Sequence, residues 1–185
     1  MRVFIAVIVL IFSLQSWTKA DDIGDFQIEG FSIGDSLLDY YSKDKIIDSK
    51  IKDQYKSKKF YAIFIEDNKF ENYEAMYFQL KANDNNFIIY SMSGSIAMEI
   101  NKCLKKRNKI FNSIKTLFNE PDISDLGKRK HPAYKDGYTH DLYIMVNSDA
   151  ISVTCYEFTD KSRVEELLIS VDTEEFNDFL RDGAH

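Results

Sequence analysis

The 185-residue sequence predicts an α+β fold: antiparallel strands in a meander, forming one sheet or two small ones, with helices packed mainly on one face. Three observations predict it. Apolar residues recur at every second position in several short runs, and polar turns rich in Asn, Asp and Ser join those runs. One long stretch, residues 96–118, carries apolar residues at helical spacing and divides the strand runs into two groups. That order suits antiparallel strands with segregated helices rather than alternating βαβ units.

The chain opens on Arg2 and an almost wholly apolar run, residues 3–14, and Thr18-Lys19-Ala20 puts small residues where a signal peptidase reads. At about twelve residues the run is short for ~30 Å of hydrocarbon and suits a secretory h-region. Residues 1–20 are therefore expected to be a signal peptide and residues 21–185 a single α+β domain, periplasmic or secreted. The alternative is an uncleaved N-terminal anchor. No Cys directly follows the apolar run, which argues against lipid attachment, so no membrane anchor is expected after cleavage.

After a short extended piece at residues 26–30, Ser32 and Asp35 have capping-box spacing. Ile33, Leu37, Leu38 and Tyr41 follow as a helical stripe. Residues 43–59 are charged, with Ile46, Ile47, Ile51 and Tyr55 interspersed, and fit either a short helix or an ordered loop. Residues 60–65 are apolar on both faces, as in a central strand. Residues 74–81 alternate, with Met76, Phe78 and Leu80 on one face and Tyr77 and Gln79 on the other. Asn83-Asp84-Asn85-Asn86 should turn the chain into an antiparallel partner at residues 87–92, which Ser93-Gly94-Ser95 should end.

Ile96, Ile100, Cys103, Leu104, Phe111, Ile114, Leu117 and Phe118 make one face of the long helix, and Lys102, Lys105, Lys106, Arg107 and Lys109 lie mostly on the other. Pro121 stops it. Residues 120–138 are polar, hold both prolines and are expected to be a loop. Strands are expected at 142–146, 151–158 and 164–171, the first two joined by Asn147-Ser148-Asp149. Asp172 or Thr173 then caps a last helix, with Glu174 and Glu175 in its first turn and Phe176, Phe179 and Leu180 buried.

Removing Arg2 and Lys19 with the leader takes the formal charge from −6 to −8. Such a balance repels phosphate backbones, so neither nucleic acid nor an anionic membrane surface is an expected partner. The 14% aromatic content accompanies a general bias toward residues with AT-rich codons, so it is read as core and codon usage before any sugar-stacking surface.

The sequence offers no diagnostic catalytic setting. GxGxxG, GxxxxGK[ST] and HExxH are missing from the sequence, and the acids are too numerous for one glycosidase pair to be singled out. His131, His140 and His185 lack metal-ligand spacing. The sequence therefore nominates no catalytic, cofactor-binding or metal-binding residue and no cofactor.

Cys103 and Cys155 are the one pair with a coherent physical story. Cys103 follows Ile100 by three residues on the apolar helix stripe, and Cys155 alternates with Ile151 and Val153 on one strand face. A helix docked on that face could bring the Cα atoms within ~4.4–6.8 Å. In an exported protein a pair of cysteines favours a bond, here closing a loop of about fifty residues worth roughly 4 kcal/mol. Two buried free thiols, or one reactive thiolate, are the alternatives.

Four stretches carry a resemblance: IEGFSIGDSLLDYYS (28–42), IIYSMSG (88–94), VTCY (153–156) and DTEEFNDFL (172–180). On these the chain resembles a family of small uncharacterised exported proteins of marine bacteria. It is more remotely similar to envelope proteins of the outer-membrane assembly lipoprotein and β-lactamase-inhibitor-like kinds. It departs from the lipoprotein group in lacking the lipid-acceptor Cys. The shared motifs are structural in character and imply no activity. The lack of a diagnostic catalytic setting, together with the remoter similarity, points to a non-enzymatic protein-binding module, inhibitor-like action included, with another envelope protein as partner. A hydrolase with an unrecognised site and a small-ligand or metal binder are the competing classes.

Overall fold

The computed structural model describes residues 22–132 and 134–182; the expected signal peptide and His185 lie outside them. Seven strands form a single antiparallel sheet in the order β1-β2-β3-β7-β6-β5-β4. They are β1 (Phe60–Glu66), β2 (Ala75–Lys81), β3 (Ile89–Ala97), β4 (Asp122–Lys130), β5 (Gly137–Val146), β6 (Asp149–Phe158) and β7 (Glu166–Asp172). The helices are α1 (Lys43–Asp48), α2 (Ile100–Ile114) and α3 (Glu174–Arg181). Strands 1–3 and 4–7 are two meanders joined in sequence by α2. They are joined in space by the antiparallel pair β3/β7, in which Ser93 faces Ser170. The open choice between one sheet and two is thereby resolved as one.

Period-two patterning fixes which side chains share a face. One face gathers Ile63, Ile65, Met76, Phe78, Leu80, Met92, Leu142, Ile144, Ile151, Val153, Cys155, Leu167, Ile169 and Val171, all buried in one cluster. On it lie α2 and the N-terminal segment, whose Ile23, Ile28, Phe31, Leu37 and Ile46 join the same core. Phe31 packs edge-on against Phe78, ring centroids 4.9 Å apart. Helices are not gathered on that face alone. Thr173 caps α3 by accepting from Phe176 N–H, and the chain leaving β7 there swings to the opposite face. Phe176 and Phe179 then meet Phe60, at 5.3 and 5.0 Å between centroids.

Five expectations need correcting. Ser32 opens no α-helix. Asp35 does accept from Ser32 N–H at 2.9 Å, half of the expected box. Gly34, however, sits at φ 90°, a region that favours glycine, and the backbone bonds to β3 instead, through Gly34 N to Ile89 O and Ile89 N to Asp35 O. Only a short 3-10 turn, Leu37–Asp39, follows, and Leu38 is exposed.

Second, β1 is an edge strand rather than a central one. It is apolar on both sides because the core packs one face and α3 reaches Phe60 on the other. Its outer edge is covered by backbone bonds from Ile51 N to Ala62 O and from Phe64 N to Ser49 O. The charged segment before it resolves into α1 followed by a loop.

Third, Ser93-Gly94-Ser95 does not end β3. A Cβ at Gly94 would lie 2.5 Å from the Tyr73 ring, so glycine is there to let that ring lie against the strand. Ile96 consequently belongs to β3, and α2 starts only at Ile100.

Fourth, residues 122–130 of the expected loop are β4, and the loop's residues 137–138 already belong to β5, which starts at Gly137 rather than at Leu142. Strand β4 is exposed along nearly all its length, so it carries none of the apolar alternation that marks the others. Fifth, Leu180 on α3 is exposed.

Candidate binding face

The second face of the sheet is polar. One register row crosses it from Tyr77 on β2 through Ser93, Ser170 and Ser152 to Tyr143 on β5. At about 4.8 Å per strand, the two tyrosines stand roughly 19 Å apart with three serines between them. The serines are buried and the tyrosines half-buried. Small side chains thus make a floor, and aromatic side chains make walls on either side.

Hydroxyl groups pair across the strands. Ser93 Oγ and Ser170 Oγ are 2.8 Å apart, Ser91 Oγ donates to Asp172 Oδ1 at 2.6 Å, and Ser95 Oγ donates to Glu166. Asp141 accepts from Thr139 and Thr154 hydroxyls at 2.7 and 3.0 Å and pairs with the Arg129 guanidinium at 2.7 Å. At one end α3 closes the face, aided by Tyr55, whose hydroxyl donates to Gln79 Oε1 at 3.0 Å. At the other end the β4–β5 loop folds over, placing the His131 ring 5.2 Å from that of Tyr156 and Arg163 over Tyr134 at 4.3 Å.

The electrostatics follow from burial. Asp172 is pushed up to about 6, chiefly by desolvation, with the Ser91 hydrogen bond working the other way. Desolvation also raises Glu166, against the Ser95 bond and with help from Glu74. Tyr156 is raised by burial and by the surrounding Glu166, Asp141 and Asp172. Tyr77 rises to about 12, again mainly by burial. The acids do not form a hydrolytic pair. Glu166 and Asp172 are six residues apart on one strand, roughly 20 Å, well beyond the ~5–9.5 Å that glycoside hydrolysis uses.

Cys103 and Cys155 are joined in a disulfide, Cα atoms 5.9 Å apart, tying α2 to β6. It lies on the apolar side of the sheet, away from the polar face. The two described histidines are divided by the sheet. His140 shares the Cys155 side, with Nε2 2.7 Å from Glu157 Oε2, while His131 lies on the other. Among the described residues no group of three or more His, Cys, Asp or Glu is placed to hold a metal ion. The polar face itself was missed by motif reading. Its signal was the Ser, Thr and Tyr spaced by two in β3, β6 and β5, which is legible only once the register is known.

Comparison with protein-family models, with curated proteins and with solved structures finds no match.

Proposed function

We propose that the protein is exported and acts as a non-enzymatic binding module that docks a protein partner on the polar face of its sheet. The observation that carries this reading is the serine floor between Tyr77 and Tyr143. Tyr and Ser together are the chemistry of adaptable protein-binding surfaces: tyrosine supplies rigid contact area at low entropic cost, and serine supplies small adaptable hydrogen bonding. Asp172 and Glu166 add acceptors for donors on a partner. Export is supported by the N-terminal apolar run and by the disulfide. Among the described residues no helix is long and apolar enough to cross a membrane. Another envelope protein is the partner class, and inhibition would act by covering a surface of that partner.

The test is capture from an envelope extract by immobilised protein, comparing the parent with a Tyr77→Ser/Tyr143→Ser variant and with a Lys102→Gln variant on the opposite side. A species retained by the parent and by Lys102→Gln, but lost with the double variant at unchanged circular dichroism, supports the reading. Equal capture by all three, or no capture at all, overturns it.

A further inference from the structure

Between Ile100 and Leu117 the chain carries Lys102, Lys105, Lys106, Arg107, Lys109 and Lys115 and not one acid, within a protein of net charge −6. The fold sorts these charges. Cys103, Arg107, Phe111 and Ile114 form the buried side of α2. Arg107 donates to the side chain of its neighbour Asn108 at 3.0 and 3.1 Å. The exposed positions are Asn101, Lys102, Lys105, Lys106, Asn108, Lys109, Asn112 and Ser113. Four ammonium groups therefore project from about 10 Å of helix length. Among the described residues the cations of the ion pairs come from elsewhere, namely Lys59, Lys81, Lys128, Arg129, His140, Lys161, Arg163 and Arg181. The flanking acids Glu99 and Glu165 sit at the helix N-terminus, accepting from Asn101 and Ile100 backbone N–H groups.

We propose that this side of α2 rests on an anionic lipid surface. The composition selects that occupant. The centres of protein interfaces are enriched in aromatic residues and depleted in Lys, and this surface is Lys, Asn and Ser without an aromatic side chain. A diffuse, negatively charged headgroup layer needs neither pockets nor directional partners. It attracts each basic residue near it with an energy equivalent to about a five-fold gain in binding. The apolar side of α2 is held in the core and tied to β6 by the disulfide, so the helix lies on such a surface without inserting. Net charge argued against this partner because it averages over charges that the fold separates. The polar face lies on the other side of the sheet from α2, so this inference is independent of the proposed protein partner.

The measurement is co-sedimentation of the exported protein with vesicles of phosphatidylglycerol and phosphatidylcholine, and with vesicles of phosphatidylcholine alone. Any retained Val3–Leu14 run would bind both kinds alike, so the difference between them is the readout. The parent should bind the anionic vesicles preferentially at low salt and be released at about 0.5 M salt, where screening is short-ranged. Lys102→Gln/Lys105→Gln/Lys106→Gln/Lys109→Gln should lose that preference, about five-fold per residue. A control neutralising Lys52, Lys56, Lys58 and Lys135 should keep it. No preference in the parent, which an acidic protein partner for α2 would give, overturns the proposal. Equal loss in the control overturns it too, because net charge alone would then explain the binding.

Discussion

Replacing Asp172 by Asn should stabilise the protein near neutral pH, with the gain fading as the pH falls. Asn keeps an oxygen for the Ser91 hydroxyl that now donates to Asp172 at 2.6 Å, and it removes only the titrating charge. The sign follows from the direction of the shift. Desolvation raises the folded value from 3.8 to about 6, so the folded state holds this proton more tightly than the unfolded chain does. Stability contributed by the protonated form is therefore present below about 3.8, declines as the pH rises, and is gone above about 6. The full span corresponds to about 3 kcal/mol, of which about 2 kcal/mol falls between about pH 4 and about pH 7. Urea unfolding of parent and variant at those two pH values gives the comparison. The variant's stability relative to the parent should improve by about 2 kcal/mol from the lower to the higher pH. The same relative stability at both would refute the reasoning, because it would mean that the Asp172 carboxylate is not desolvated by the fold. Glu166, raised for the same reason, should give a slope of the same sign in Glu166→Gln.

Two further predictions concern the framework. The disulfide spans 52 residues, for which chain entropy gives about 4 kcal/mol. Alkylation of the folded protein without reductant should label no thiol, and Cys103→Ala/Cys155→Ala should lower unfolding stability by up to that amount; two labelled thiols would refute the bond. Gly94→Ala should cost about 1–3 kcal/mol, because the new methyl meets the Tyr73 ring at 2.5 Å. Adding Tyr73→Ala should make the glycine change nearly free, and a cost unchanged by that addition would refute the contact.

Elements that bury one face were legible in the sequence, because burial imposes a period that sequence displays. Strands β2, β6 and β7, the buried side of α2, and the pairing of Cys103 with Cys155 all followed from that rule. What was hidden was structure held by backbone bonding without apolar demand. Strand β4 needs only a neighbour to pair with, and its side chains meet water, so DISDLGKRK carries a loop's composition. The Ser32–Tyr41 segment shows local preference losing to a tertiary partner: the apolar spacing of a helix is present, but β3 takes the backbone hydrogen bonds. The polar face was invisible for a different reason. Ser93, Ser170 and Ser152 become one row only through pairings spanning up to 77 residues, and no local window contains them.

The seam between β3 and β7 bears on how the chain reaches this state. In an N-to-C order of emergence, β1, β2 and β3 are complete long before Glu166–Asp172 appears, and closing that separation is entropically slow. Until then β3 is an unsatisfied border, the kind of strand that recruits other chains. Its own residues temper the hazard. Ser91, Ser93, Gly94 and Ser95 leave Met92 as the one large apolar side chain in the middle of the waiting strand, between Tyr90 and Ile96, which weakens it as a template for cross-β growth. The hydroxyl groups that floor the mature face would thus also guard the nascent chain, and truncation ahead of Glu166 would leave that border permanently open.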